Sequence, residues 1–439
     1  MITEKYPVLR KITVNITWLF VDKILRLSVS LLVAVWLARH LGPEQFGLLN
    51  FSLALVSLFG AIAALGLSGI VVRDLVNQPD QARQTLGSAF ILKLIAALFA
   101  YCILIITIFA LRPDDSLSKV IVCLLGLTLL FKSTEVVKFW FESQVRSKYV
   151  VWVENGIFIF VSLLKAIMLW NKAALIEFVY VMLLESIIIA FALLYTYAKV
   201  ELNPIHWKVT KERVVSLLKD GWPLIIASAA WIIYCRIDQI MIGQMLDDQA
   251  VGYYSVAIKL SEVLNFLPVI IAFSVIPIIT ELRKIDLELY RQRFQYIYDL
   301  TVGIMLCAAV FTSILSGWII QTLFGTAYEN SASVLTIYVW SSVFYAMAIV
   351  SGRYLINEGL QKVTMRRHLM GVVLNIPLNL FMIPAFGIKG AAVASLVSLA
   401  ISNYIYDAIN PITRICFKQK TKSIFMISLI EYAFGKVKK

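Results

Sequence analysis

Charge is scarce in this 439-residue chain, and what is missing narrows its chemistry before any motif is read. Only 15% of the residues are Asp, Glu, Lys or Arg, against 60% hydrophobic, far from the roughly 25% charged of soluble globular domains. The three histidines (His40, His206, His368) lie far apart, and the five cysteines are scattered without a CxxC pair. That argues against a zinc site or a disulfide framework. No GxxxxGK[ST], HExxH or GxSxG occurs, so the chain carries no ATP-hydrolysing loop and none of the common hydrolase centres. A cleavable signal is also missing: the first apolar stretch begins near Val14, holds charges and lacks a small-residue cleavage site.

What the chain does have is apolar length. A helix needs about 20 apolar residues to cross the hydrocarbon core, and twelve stretches qualify: 14–38, 47–70, 87–111, 117–139, 151–170, 174–198, 221–243, 252–279, 296–319, 331–351, 366–386 and 388–408. The turns after the odd-numbered stretches hold only Arg39, Arg112, Lys119, Lys172 and Lys389, whereas the other turns and both tails are crowded with Lys and Arg. Short loops rich in these residues stay in the cytoplasm, which predicts a multi-pass protein with both termini inside. The net charge of +13 then belongs to cytoplasmic turns such as 199–219, 283–293 and 353–367, where it favours anionic lipid. Nucleic acid is not an expected partner. Many Trp and Tyr fall at span edges, as in an aromatic belt.

The longest break, 199–221, is polar and divides the spans six and six. A faint repeat supports that division: Leu41, Gly47 and Leu55 recur as Leu246, Gly252 and Leu260 at a constant offset of 205. The expected fold is an all-α integral membrane protein, about 12 transmembrane helices in two six-helix bundles around a central cavity. The expected domains are 1–210 and 211–410, followed by a basic cytoplasmic tail, 411–439, whose apolar part (Ile424–Phe434) is too short to span and reads as an interfacial helix.

Ionisable residues inside spans are costly, and they face partners or wet cavities. Asn15, Trp18, Asp22 and Arg26 share one face of the first helix with Lys23 beside them, and Asp22 and Arg26 are spaced to pair. This is either an ion pair joining helices or one side of a cation-lined passage. The fourth span carries Lys132, Glu135, Lys138 and Glu142; the last two suit a solvated cytoplasmic face. Glu185 sits mid-span with no cation one turn away, so it is either a neutral carboxyl or a partner across helices. Arg236 and Asp238, two apart, point to different faces, while Lys259 and Glu262, three apart, can pair. Asn375 and Asn379 flank Pro377, an amide face at an expected kink. Lys93 and Lys165 lie near span ends, where they are expected to snorkel.

Three segments carry a family resemblance: Ala38–Gly47 (Ala-Arg-His-Leu-Gly-Pro-Glu-Gln-Phe-Gly), Arg236–Met245 continuing through Val251–Ser255 to Lys259–Glu262, and Phe386–Ala392 (Phe-Gly-Ile-Lys-Gly-Ala-Ala). With the span count, the chain resembles the bacterial polysaccharide and O-antigen flippases of the superfamily that also holds the multidrug and toxin extruders. The resemblance implies a transporter, not an enzyme, of the bacterial inner membrane. It would move undecaprenyl-pyrophosphate-linked oligosaccharide by alternating access between two bundles, in a pathway with a polysaccharide polymerase and chain-length regulator. Lys23, Arg26, Arg236 and Lys259, with Asn375 and Asn379, are candidates for holding the pyrophosphate and sugars, since a multiply charged anion in low dielectric needs compensation. No cofactor is implied. A proton or sodium gradient would supply energy, with Asp22, Glu135, Glu185, Asp238 and Glu262 as the available acids, and Glu185 favoured over the paired Asp22 and Glu262. Two alternatives stand beside this reading: a multidrug or small-cation antiporter of the same superfamily, which predicts an acidic cavity, and a membrane-embedded polymerase or acyltransferase, which predicts a longer outer loop.

Overall fold

The computed structural model describes residues 7–200, 206–283 and 285–426, with side chains from residue 25 onward apart from those of 223 and 273–278. Helix makes up 90% of the fold, and no strand occurs among the described residues. Among the described residues, ten helical segments are long and apolar enough to cross a membrane. Two of them, Leu25–Asn77 and Gln361–Ile409, run to 53 and 49 residues, far more than one crossing needs. A glycine in the left-handed region interrupts the helix within each: Gly42 (φ 73°) in the first, which also turns at Leu65–Gly66, and Gly387 (φ 60°) in the second. That conformation is open to glycine at little cost. Divided there, the ten segments supply the twelve spans that hydropathy predicts. The break in the second segment falls at Gly387, not at Pro377, around which the chain keeps helical torsions.

The chain forms two compact units, Met1–Ile232 and Ile233–Lys439. In the first, α1 (Pro7–Ala64) packs against α3 (Ala82–Leu111), α4 (Ser116–Gly126) and α7 (Lys148–Trp170), while α8 (Leu175–Val200) packs on α7 and α4. Short α2 (Ser68–Asn77) lies on α6 (Val136–Ser143), which closes the fourth span after α5 (Thr128–Phe131). Between α5 and α6 the span tightens into a 3₁₀ turn, Lys132–Glu135. Hydroxyls there bond back to the helix: Ser133 Oγ donates to the Leu130 carbonyl (2.7 Å) and Thr134 Oγ1 to that of Phe131 (2.8 Å). Such back-bonding competes with the α ladder, so the span is least regular where its charges lie.

The entry to α9 (Lys211–Met245) is bound to the first unit. Arg213 pairs with Asp74 (2.8 Å) and reaches Thr85 (3.2 Å), while Arg73 pairs with Asp220 (3.0 Å). The boundary between the units therefore falls within α9, beyond the polar break.

The second unit holds α10 (Asp248–Leu264), α11 (Phe266–Leu282), α12 (Leu287–Phe324), α13 (Asn330–Tyr338), α14 (Ser341–Asn357) and α15 (Gln361–Ala400). After a π-helical stretch, Ile401–Ile405, come α16 (Tyr406–Ile409) and α17 (Arg414–Ile424). Asp247 and Asp286 cap α10 and α12 by accepting backbone N–H bonds. The basic tail begins as α17, a helix docked on α12. Residues 427–434 of the expected interfacial helix lie outside the described residues.

Candidate functional site

In the first unit the charged side chains of four helices form one row. Arg26 of α1 donates through Nη2 to Glu154 (3.1 Å) and through Nε to Asn155 (3.0 Å) of α7, and its guanidinium lies 5.8 Å from the Phe158 ring. Glu154 also pairs with Lys138 of α6, which sits 3.8 Å from Glu135. Glu135 in turn accepts from Lys93 of α3 (3.0 Å), a lysine only 2% exposed. Exposed Lys132 stands one turn from Glu135. Among the described residues, three cations thus pair with two carboxylates, with Lys132 close by, so that cations outnumber acids in the row.

Several sequence expectations change here. Lys93 does not snorkel; it is buried against Glu135 and lies 5.2 Å from the Phe139 ring. Lys165 does not snorkel either. It pairs with Glu185 at 3.0 Å, which supplies the cation that Glu185 lacked along its own helix. Lys138, assigned to a solvated face, bridges Glu135 and Glu154. The side chains of Asp22 and Lys23 lie outside the described residues.

In the second unit Arg236 and Asp238 take separate partners. Arg236 pairs with Glu262 at 3.3 Å, at a partly exposed position. Glu262 is therefore engaged by Arg236, and Lys259 makes no ion pair within 4 Å among the described residues. Asp238 is buried. Its Oδ2 accepts from the Tyr254 hydroxyl (2.8 Å) and from Ser395 Oγ, and its Oδ1 accepts from Asn379 Nδ2 (2.6 Å). Asn379 Nδ2 also donates to Asn375 Oδ1 (3.0 Å). Neither Lys nor Arg pairs with Asp238 among the described residues. Two polar atoms at its edge, Asn375 Nδ2 and Asn379 Oδ1, are buried without a hydrogen-bond partner. A buried carboxylate with hydroxyl and amide donors but no countercharge is expensive when ionised. Tyr254 and Ser395 give no signal in the sequence because neither is charged at neutral pH and Ser395 is 157 residues away.

A further cluster, also missed, lies in the second unit. Arg367 of α15 donates to Ser351 Oγ (2.8 Å) and pairs with Asp407 of α16. Lys420 of α17 donates to the same Asp407 (2.7 Å) and to the Asn403 carbonyl (2.6 Å). All three charged groups are buried. Burial lowers the Lys420 ammonium to about 8 against the pull of Asp407.

A family model described as "Polysaccharide biosynthesis protein" matches residues 12–283. The chain belongs to the polysaccharide biosynthesis protein family. A second model, MatE, matches residues 223–381. Among the relatives of this family member is a "Probable low-salt glycan biosynthesis flippase Agl15" of Haloferax volcanii, 24% identical over 402 residues, 88% of this chain and 81% of the relative. Another is the "Capsular polysaccharide biosynthesis protein CapF" of Staphylococcus aureus, 20% identical over 401 residues, 89% and 98% of the two chains. A solved structure described as "Lipid II flippase MurJ, inward closed conformation" superposes with a TM-score of 0.73 at 15% identity, covering 95% of this chain and 93% of that one. The two chains therefore share a fold.

Proposed function

We propose that this protein is a flippase for polyprenyl-pyrophosphate-linked oligosaccharides, carrying the anionic head from the cytoplasmic to the outer leaflet by alternating access. One observation carries the reading: the row Arg26–Glu154–Lys138–Glu135–Lys93 with Lys132 holds more cations than acids. A pyrophosphate can exchange for carboxylate partners along such a row without stripping all of its compensation at once. The names of the relatives support a glycan cargo, and the distribution of loop cations supports cytoplasmic termini.

Asp238 is the acid best suited to energy coupling. With Arg236 and Lys259 set against Asp238 and Glu262, the ionisable groups of this region cancel; uptake of a proton or sodium ion at Asp238 leaves them net positive. Entry of the coupling ion would then favour anionic cargo in the second unit, and its exit would favour release. Glu185, Glu135 and Glu262 each have a cationic partner, which makes them weaker candidates.

The MatE match over 223–381 supports a second reading, export of small cations. The excess of positive charge in the first unit opposes it, because a cationic cargo needs carboxylates to spare.

The test is translocation of a fluorescent lipid-linked oligosaccharide in proteoliposomes, read by quenching from outside. Arg26→Gln combined with Lys138→Gln should slow it by at least tenfold with normal insertion. Unchanged transport would remove the proposal.

A further inference from the structure

The outer face of α17 has no role in the function proposed above, and its chemistry is distinctive. Arg414, Lys418 and Lys422 follow one another at intervals of four, and all are exposed; in a helix this spacing makes a single stripe. The opposite face, Cys416, Gln419, Lys420 and Ser423, is buried. That face is anchored by polar bonds: Lys420 to Asp407, Ser423 Oγ to Asp299 (2.6 Å), Gln419 Nε2 to the Arg291 carbonyl (3.0 Å), and Gln295 Nε2 to the Gln419 carbonyl (3.1 Å). The first turns of α12 therefore run alongside α17, adding exposed Arg291, one turn before Gln295, to the same edge, with Glu288 as an exposed acid.

The apolar surroundings say what kind of partner this edge meets. Ile409, the last residue of the twelfth span, is 70% exposed; Ile412, in the turn, is 59% exposed; and Phe425, just past α17, is 64% exposed. Exposed apolar side chains thus lead from the lipid-facing wall of the final span onto both ends of the cationic helix. A soluble acidic partner would not need such flanks. A helix that presents a basic stripe with apolar residues at its ends, at the depth where a span stops, has the features of a headgroup-level element.

We infer that the Arg414–Lys418–Lys422 face, with Arg291, is a binding surface for anionic phospholipid headgroups of the cytoplasmic leaflet. The inference does not depend on the cargo, since none of these side chains belongs to the intramembrane charged row. Because α17 is tied to α15 and α16 through Asp407, bound lipid would also brace the end of the last span.

Native mass spectrometry of the full chain in detergent, titrated with phosphatidylglycerol or phosphatidylcholine, tests this. The wild type should prefer phosphatidylglycerol, and R414Q/K418Q/K422Q should bind it about a hundredfold more weakly, at the usual contribution of each surface cation. R414Q/K418Q, a milder change, should lie between. K172Q/K389Q, which neutralises cations of the opposite side, should bind like the wild type. Equal affinity of the triple variant for phosphatidylglycerol, an equal loss in K172Q/K389Q, or full competition by soluble glycerol phosphate would each overturn the inference.

Discussion

Glu154→Gln isolates the competition on which the proposed cargo site depends. Glu154 lies 3.1 Å from Arg26 and also pairs with Lys138, so an incoming phosphate must displace a carboxylate that already satisfies two cations. At an effective dielectric of about 20, a unit charge pair at that distance is worth about 5 kcal/mol before desolvation and screening. Glutamine keeps one acceptor oxygen, Arg26 keeps its bond to Asn155, and the partly exposed guanidinium is screened, so about 1.5 kcal/mol of net competition is lost. That is roughly a tenfold gain in affinity. Titration of the purified protein with farnesyl pyrophosphate by calorimetry should show this gain. Translocation of the natural class of substrate should slow, because a site that holds its cargo more tightly releases it more slowly. Unchanged or weaker binding by Glu154→Gln would refute the reasoning, since it would mean that phosphate does not replace the carboxylate.

Asp238→Asn should preserve folding and exchange of cargo across the membrane while removing the response of translocation to an imposed proton or sodium gradient; a gradient response equal to wild type would exclude Asp238. Asp407→Asn should cost about 3–5 kcal/mol, the usual penalty for breaking a buried ion pair, and lower the thermal midpoint in detergent; a midpoint shift below 1 °C would show that the Arg367–Asp407–Lys420 cluster carries no load. Lys420 itself predicts a pH dependence. Its folded value of about 8 lies below the ordinary 10.5, so between these limits the unfolded chain binds the proton that the folded chain has released, and stability rises with pH by up to roughly 3 kcal/mol. Against Lys420→Met, the wild-type midpoint should therefore gain between pH 8 and 10; a constant gap would contradict the assignment.

The spans were readable in the sequence because membrane crossing is written locally, in runs of apolar residues. Even the shortest expected span, 151–170, is a continuous helix, Lys148–Trp170, and the break between the expected spans 366–386 and 388–408 falls at Gly387. The pairing of charges was not readable, because it depends on which helices are neighbours. Lys93 meets Glu135 from 42 residues away, and Arg26 meets Glu154 from 128. Glu185 has no cation within one turn of its own helix, yet Lys165 on the neighbouring helix compensates it. Asp238 stood out as a charge within a span, but its setting is made by Tyr254, Asn379 and Ser395, residues that are individually unremarkable in a membrane helix. The docking of α17 was unreadable for a related reason: Arg414–Lys422 is rich in basic residues, and which of its residues are buried (Cys416, Gln419, Lys420 and Ser423) depends on the helix it packs against.

The most direct test of the central claim is the selectivity of the first unit's charged row for a pyrophosphate head. Binding of undecaprenyl-pyrophosphate-linked oligosaccharide and of undecaprenol should be compared by native mass spectrometry in the wild type and in Arg26→Gln/Lys138→Gln. The wild type should favour the pyrophosphate lipid by about a hundredfold, the order expected for two charge-assisted contacts, and the double variant should lose most of that preference. Equal preference in the two proteins would contradict the account.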